Sequence, residues 1–506
     1  MEQIRATWTT MLGDRIMITR MGGYGLLWLW TVMMFNSIVP YLTAPDPRTA
    51  LYVGLTISLV TMVATTLFIA IALRRAERLS DNRFIVWGAA AAMTAGAVLS
   101  AFSNPDESVG MGALMLSSIL TGTGSAALFV CWGEQFFGTG GRVALVELSV
   151  GSCAAFVFGF GLMVLPREAA TAVIAAAPLG SAVLLGRSRR VACAHGFAAR
   201  TAIALAGEGS PLSRSTVLLA VKTLSGSLLV GVISGFFDVA GGFNASVVQA
   251  DYGVYLLLAG SMVTLLLSLI SVLTMRDGVF YAYRFSVLVL CLGCLLTPFL
   301  GHGTTYFSVL VFAGYTCFTI VLYILCIDFA TSFRINVARC LGLGFVALYG
   351  GEVLGHLLGY NVGLESTPYT LALMTLLAVG VLLIAHLFLF TEVDLIKLGI
   401  GEVSLIVPVN EDAAGTEEVE EVPADPAPLI VERYGLTPRE SDVLPLLLEG
   451  RTIQRIQETL YISAGTVSTH IRHIYQKTGS NNRQELIDLA QQIAAEGAGA
   501  LDTAKN

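Results

Sequence analysis

Charge is what this chain has least of. Of its 506 residues only 13% are Asp, Glu, Lys or Arg, while 55% are hydrophobic. Soluble globular domains carry about a quarter charged residues, so a water-soluble fold is excluded over most of the length. Metal-ligand spacings are missing too. The eight cysteines lie in or beside apolar runs, apart from Cys193, and Cys291-x-x-Cys294 falls inside such a run, where packing explains it better than redox chemistry. A nucleophile–base pairing, a phosphate loop and a phosphoacceptor receiver domain are also lacking. An enzyme and a standard two-component route are therefore not expected, nor is any cofactor or metal. No cleavable signal peptide is evident: the first apolar run is too long for one and lacks a small-residue cleavage site, so it is expected to stay as a signal-anchor helix.

What is present is a series of apolar runs of about 20 residues, the length that crosses a hydrocarbon core of about 30 Å as a helix. The pattern predicts twelve spans: Gly22–Leu42, Leu51–Leu73, Phe84–Phe102, Met111–Trp132, Val143–Leu165, Ala169–Leu185, Ser215–Phe237, Tyr252–Met275, Ala282–Leu300, Tyr306–Ala330, Val337–Gly359 and Tyr369–Phe390. The sixth is short and the ninth has an uncertain start. Fifteen loop arginines fall on the N-terminal side of odd-numbered spans and two, Arg48 and Arg167, on the other side. By the positive-inside rule both termini are expected in the cytoplasm.

Six spans, a central loop from Gly186 to Arg214 and six more spans make a 6 + 6 plan. The plan resembles the major facilitator superfamily, whose halves rock about a site near mid-bilayer. The loop Arg74–Arg83 is basic, as in that family, but lacks the glycines of its motif. Ionisable residues at membrane depth usually face an interior or a cavity. Lys222 in the seventh span, with Glu352 and His356 one turn apart in the eleventh, are the candidates for a small-molecule or proton-responsive site. The alternative is that Glu352 and His356 bond each other or a neighbouring helix and only hold the bundle together. Gly351, Gly355 and Gly359, with Gly231 and Gly235 in the seventh span, have the four-residue spacing that admits a close helix partner. Asp328, Arg284 and Glu147 lie near span ends, where snorkelling explains them, and Trp132-Gly133-Glu134 reads as an interfacial anchor.

Polarity returns beyond Thr391. Residues 391–431 form an acidic linker, with seven acids and no Lys or Arg between Glu411 and Asp425. Such a composition is expected to stay flexible and to reach roughly 30–37 Å. It serves as a solvated spacer or as a competitor with DNA for a basic helix.

Residues 432–495 have helical punctuation of a different kind. Thr437-Pro438-Arg439-Glu440 is a capping box with Pro at the first helical position, and that helix ends at Gly450. Thr452 caps a second helix with Ile456 and Leu460 inward, Ser463 caps a third that runs to Thr478, and a fourth starts near Asn482. On the third, Val467, Ile471 and Ile474 share one face, while Thr469, Arg472, His473 and Gln476 share the opposite one, flanked by Ser468, with no acid among them. An α-helix with such a face fits the DNA major groove. Ser463 and Thr466 at its N-terminus suit phosphate, and Lys477 and Arg483 are candidates for further phosphate contacts.

Leu436 to Glu440, Val443-Leu444, Glu449-Gly450, Ile456, Leu460, Ser463, Thr466-Val467, His470, Ile474, Lys477 and Arg483 together resemble the LuxR-type domain of bacterial transcription regulators. The resemblance implies a four-helix domain whose third helix reads double-stranded DNA and whose fourth dimerises. Leu486, Leu489 and Ile493 give an apolar stripe suited to dimerisation, or to covering the domain's own core. Ser468 stands where the family often has Lys, and Pro445 interrupts the first helix. Six Lys or Arg balance six acids between Leu436 and Leu489, so one copy should hold DNA weakly and a homodimer better.

The expected fold is thus all-α, a membrane bundle of 12 helices over residues 1–390, followed by the linker, the helix-turn-helix domain and a disordered tail at 496–506. The expected protein is a one-component regulator of the bacterial inner membrane, in which the bundle senses a small molecule or a membrane state. Alternatives are a transporter with an autoregulatory DNA-binding domain and a helix-turn-helix turned to protein interaction.

Overall fold

The computed structural model describes residues 15–73, 78–137, 139, 141–194, 214–242, 251–273, 278–296, 306–333, 335–363, 368–388, 427–448, 456, 460, 464–480, 483, 485–490 and 492–493. These fall into two compact units, a helical bundle and a C-terminal domain. The acidic part of the linker, the tail from 496 and the cap residue Ser463 lie outside the described residues.

In a bilayer the backbone can bond only within its own segment, and among the described residues the apolar runs accordingly form twelve long helices. They are α1 (Arg15–Phe35), α2 (Pro47–Ala72), α3 (Arg83–Ser100), α4 (Ser108–Gln135), α5 (Gly141–Leu162), α6 (Arg167–Ala194), α7 (Arg214–Gly242), α8 (Asp251–Leu273), α9 (Gly278–Leu296), α10 (Tyr306–Phe333), α11 (Val337–Gly363) and α12 (Pro368–Phe388). Among the described residues, nine of them are long and apolar enough to cross a membrane by length and composition, and α8 and α12 hold shorter apolar stretches. Their outward faces carry Phe68, Ile71, Met262, Leu288, Leu373 and Leu376, each more than 60% exposed. Such a surface is disfavoured in water and suited to lipid tails.

The neighbour pairs reveal an internal repeat. In the first half α3 packs on α4, α2 on α4, α1 on α5 and α6, and α3 on α6. Six helices on, α9 packs on α10, α8 on α10, α7 on α11 and α12, and α9 on α12. Across the halves α2 meets α11 and α5 meets α8, a pair of contacts that the same shift exchanges. The 6 + 6 plan is therefore a packing symmetry as well as a count.

Glycine sets how closely the repeated pair α7–α11 approaches. A Cβ on Gly355 would lie 2.3 Å from the Val232 carbonyl oxygen, and one on Gly235 equally close to that of Glu352. The two glycine rows anticipated from spacing thus pack on each other.

Several expected boundaries and roles are corrected. The first span starts seven residues before Gly22 and ends at Phe35, because Asn36, Ser37 and Pro40 interrupt the helix. The sixth, expected to be short, is one of the longest and runs through Pro178 and Arg190 to Ala194. The ninth starts four residues early, at Gly278. Glu147 does not snorkel: it is fully buried and takes two bonds from Arg20 of α1, at 2.6 and 2.5 Å. Asp328 is turned inward as well, and its Oδ2 is buried. Trp132 is no interfacial anchor, being buried with its indole donating to Ser181 at 2.9 Å. Glu134 accepts from the backbone N–H groups of Leu79 and Ser80, both at 2.8 Å, and so ties α4 to the short 3-10 turn Leu79–Asp81.

The C-terminal unit begins with α13 (Ala427–Tyr434), followed by α14 (Pro438–Leu448) and α15 (Ala464–Thr478); residues 485–490 are also helical. The expected linker is therefore too long, because its last five residues belong to α13. Pro428 stands in the first turn of that helix, where its missing N–H is harmless. Gly435 ends α13 at φ +61, with the Leu436 N–H bonded to the Val431 carbonyl, a Schellman closure. Ala427 and Ile430 join Val443, Leu444, Leu447, Ile456, Val467 and Ile474 in one core. Gly479, at φ +71, ends α15. α14 continues through Pro445.

Candidate nucleic-acid interface and membrane-embedded polar site

The orientation of α15 follows from its amphipathic sequence. Val467 and Ile474 are fully buried, Ile471 packs against the core, and Thr466, Thr469, Arg472 and Gln476 are exposed. Fifteen residues make a helix about 22 Å long, enough to lie in a major groove. Arg472 can offer a guanine edge two donors, and the two threonines are small enough to approach bases or phosphates. Ser468 lies on α15, but its side chain is outside the described set.

Three expected contacts are engaged inside the domain. The capping box forms as anticipated, with Thr437 N–H donating to Glu440 at 2.7 Å and Glu440 N–H to the Thr437 hydroxyl at 3.4 Å. Glu440 is also buried against α15, where its carboxylate takes a 2.8 Å bond from Lys477 and lies 3.7 Å from His473. Burial by itself would raise the Glu440 pKa, but the Lys477 ammonium and the two Thr437 donors outweigh it and hold the value at about 2. Lys477 also donates to the Gly435 carbonyl, and Arg483 donates twice to that of Leu447. Lys477 and Arg483 therefore lock the domain together in this structure; a buried carboxylate and a helix-end carbonyl claim them first. Arg472 remains exposed and unpaired among the described residues. Leu486 and Ile493 are buried in the core and Leu489 packs partly against it, so the apolar stripe covers its own domain here.

In the bundle, Glu352 and His356 share one face of α11, as their spacing requires, but turn to different partners. Glu352 accepts from the Tyr315 hydroxyl of α10 at 2.6 Å. His356 Nδ1 lies 3.1 Å from the Thr56 hydroxyl of α2, and its Nε2 lies 3.5 Å from the Asp238 carboxylate of α7. Glu352, Asp238 and Tyr315 line a cavity of about 70 Å³ between the halves, together with Trp28 and Thr316. That volume accommodates a few waters or a small ion, against roughly 300–1,000 Å³ for an organic ligand. The Trp28 indole N–H and the Thr316 hydroxyl are buried there without a hydrogen-bond partner among the described residues.

Lys222 is not part of this cluster. It lies sixteen residues before Asp238 on α7, about 24 Å along the helix. Asp238, Tyr315, Thr56 and Trp28 were not singled out from the sequence. Asp238 sits one residue past the expected end of its span, and the others are common in apolar helices. Arg284, expected to snorkel, is exposed and stacks on Phe280 at 3.9 Å.

With this geometry in view, the C-terminal domain is of the LuxR helix-turn-helix type, joined to a multi-pass membrane bundle of transporter-like fold. Residues 435–490 match the family described as bacterial regulatory proteins, luxR family. A stretch of 66 residues is 41% identical to the HTH-type transcriptional regulator MalT of Serratia proteamaculans (strain 568), spanning 13% of this chain and 7% of that protein. Over 76% of this chain and all of the other, the structure is similar to a bacterial homologue of the iron transporter ferroportin in its outward-facing state, at a TM-score of 0.50 and 14% identity. The human organic anion transporter MFSD10 (TETRAN) is similar over 74% of this chain and 99% of its own, at 0.46 and 14%.

Proposed function

We propose that this chain is a one-component transcription regulator of the bacterial inner membrane, with both termini in the cytoplasm. A small molecule or membrane state acts on the bundle and biases the pairing of two copies of the DNA-binding domain, or its release. One observation carries the proposal: an exposed, acid-free helix face with Arg472 at its centre belongs to the same chain as a membrane bundle with a polar cluster between its halves. Thr466, Ser468, Thr469 and Arg472 would read or position DNA, with Ser463 at the helix cap. His473, Lys477 and Arg483 would reach phosphates only by loosening contacts within the domain. Leu486, Leu489 and Ile493 would pair copies only if the last helix were to turn outward. The matched regulator supports the DNA-binding half.

The test is genome-wide crosslinking of the full-length protein beside Arg472→Ala. Discrete sites for the wild type that vanish in the variant are expected. Identical maps, or none for either, would sink the proposal.

A second reading, a transporter carrying an autoregulatory DNA-binding domain, is favoured by the transporter-like fold and the two carboxylates at the cavity. Uptake into proteoliposomes that Glu352→Gln abolishes would establish it.

A further inference from the structure

We propose that the groove between α3 and α6, at the arginine-rich end of the bundle, binds the phosphate headgroup of an anionic phospholipid. Arg83 opens α3, and Arg189 and Arg190 lie near the end of α6; all three line one groove with Val86, Trp87 and Leu185. Its volume is about 560 Å³, within the range of small-molecule sites and eight times that of the cavity between the halves. The size fits a glycerophosphate head and the first methylenes of its chains.

The charge fits as well. Arg83 and Arg190 have no carboxylate in ion-pair range among the described residues, and Arg189 meets only the exposed Asp81, at 2.9 Å. Three guanidinium groups against one carboxylate leave the groove strongly cationic, and guanidinium donors match phosphate oxygens in pairs. Basic pockets between membrane helices are known to hold anionic headgroups by this means.

The setting selects a lipid over a dissolved anion. Val86 and Leu185 are buried and give the groove an apolar floor, while Trp87 is 47% exposed and the adjacent Phe84 is 74% exposed. Exposed aromatic rings at the end of an apolar helix mark the headgroup level of a bilayer. Arg83 stacks over the Phe84 ring at 5.1 Å, which holds the guanidinium at that level. A phosphate bound there would have its acyl chains running down the outer surface of α3.

The experiment uses the full chain in mild detergent. Retained phospholipid is counted by mass spectrometry, and tryptophan emission is followed while phospholipids with brominated chains are added, in anionic or zwitterionic headgroup form. The anionic lipid should be retained and should quench. The variant Arg83→Gln with Arg190→Gln should bind it about 10–100-fold more weakly. Arg83→Lys with Arg190→Lys should keep most of the binding, and Arg284→Gln on α9 all of it. Trp87→Phe should remove the quenching but not the retention. Equal binding of both headgroups, no loss in the glutamine variant, or displacement by millimolar inorganic phosphate as effective as by lipid would each overturn the proposal. Should the glutamine variant fail to fold, the wild type alone decides, and a headgroup preference below about threefold refutes it.

Discussion

Replacing Glu440 by Gln should unfasten the DNA-binding domain without emptying its core. The carboxylate is 3% exposed and joins three parts of the domain: the Thr437 cap, the start of α14, and Lys477 of α15. Its pKa falls from an ordinary 4.5 to about 2, which corresponds to about 3 kcal/mol. Lys477 is one-third exposed, so solvent screening reduces the pairing, and about 2 kcal/mol is the working figure. Because the folded-state pKa is depressed, this contribution is complete above about pH 5 and disappears as the pH falls towards 2. Hydrogen exchange on the full-length protein reads it directly. At neutral pH the slowest amides of α14 and α15 should exchange about 30-fold faster in the variant, and the gap should narrow below pH 5 and close near pH 2. Lys477→Met should cost at least as much, since it strands a buried charge, and the two changes combined should cost less than their sum. A neutral-pH difference below threefold, or one that persists unchanged at pH 3, would refute the reasoning.

Other expectations are simpler to test. Gly355→Ala places a Cβ 2.3 Å from the backbone of α7, whereas Gly350→Ala meets open space; the first should lower thermal stability by about 1–3 kcal/mol and the second should leave it unchanged. Arg20→Met or Glu147→Gln breaks the buried pair between α1 and α5 and should cost about 3–5 kcal/mol, with Arg20→Met plus Glu147→Leu recovering most of it in the same melting assay. Tyr315→Phe removes the donor to Glu352 and should change the response of a reporter gene to the inducing condition, while lowering thermal stability by about 1–3 kcal/mol.

Much of the architecture was legible because membrane helices announce themselves by length and hydropathy, and because caps and amphipathic faces are local signals. The twelve helices, the capping box and the buried face of α15 are all of that kind. The rest depended on partners distant in sequence. Nothing near Glu147 identifies Arg20 as its partner, 127 residues away. Lys477 looked available for phosphate because a sequence does not show that Glu440 is buried beside it. Asp238 was missed for a related reason: hydropathy ends a span where polarity rises, but α7 continues through Asp238 to Gly242 because that carboxylate faces His356, not lipid. Helix α13 escaped notice because its opening proline was grouped with the linker's other prolines.

The arrangement of the polar cluster constrains what kind of signal could move it. Thr56 belongs to the first half of the bundle, and His356, Asp238, Glu352 and Tyr315 to the second, so any rocking of the halves must stretch the Thr56–His356 contact. One neutral hydrogen bond contributes about 1 kcal/mol, which shifts a two-state equilibrium only about fivefold. Reversing a 99:1 population requires about 5.5 kcal/mol of differential binding. A ligand that merely displaced Thr56 would therefore be too weak to act as a switch. One that altered the charge balance of His356 with Asp238, or of Glu352 with Tyr315, would act on contacts that are worth more where water is excluded. Under the proposed function, then, the effective signals at this cluster are protons and small ions, the sizes that its cavity admits. Neutral ligands should leave the reporter near its basal level, and a strong response to a neutral one would place the sensing site elsewhere in the bundle.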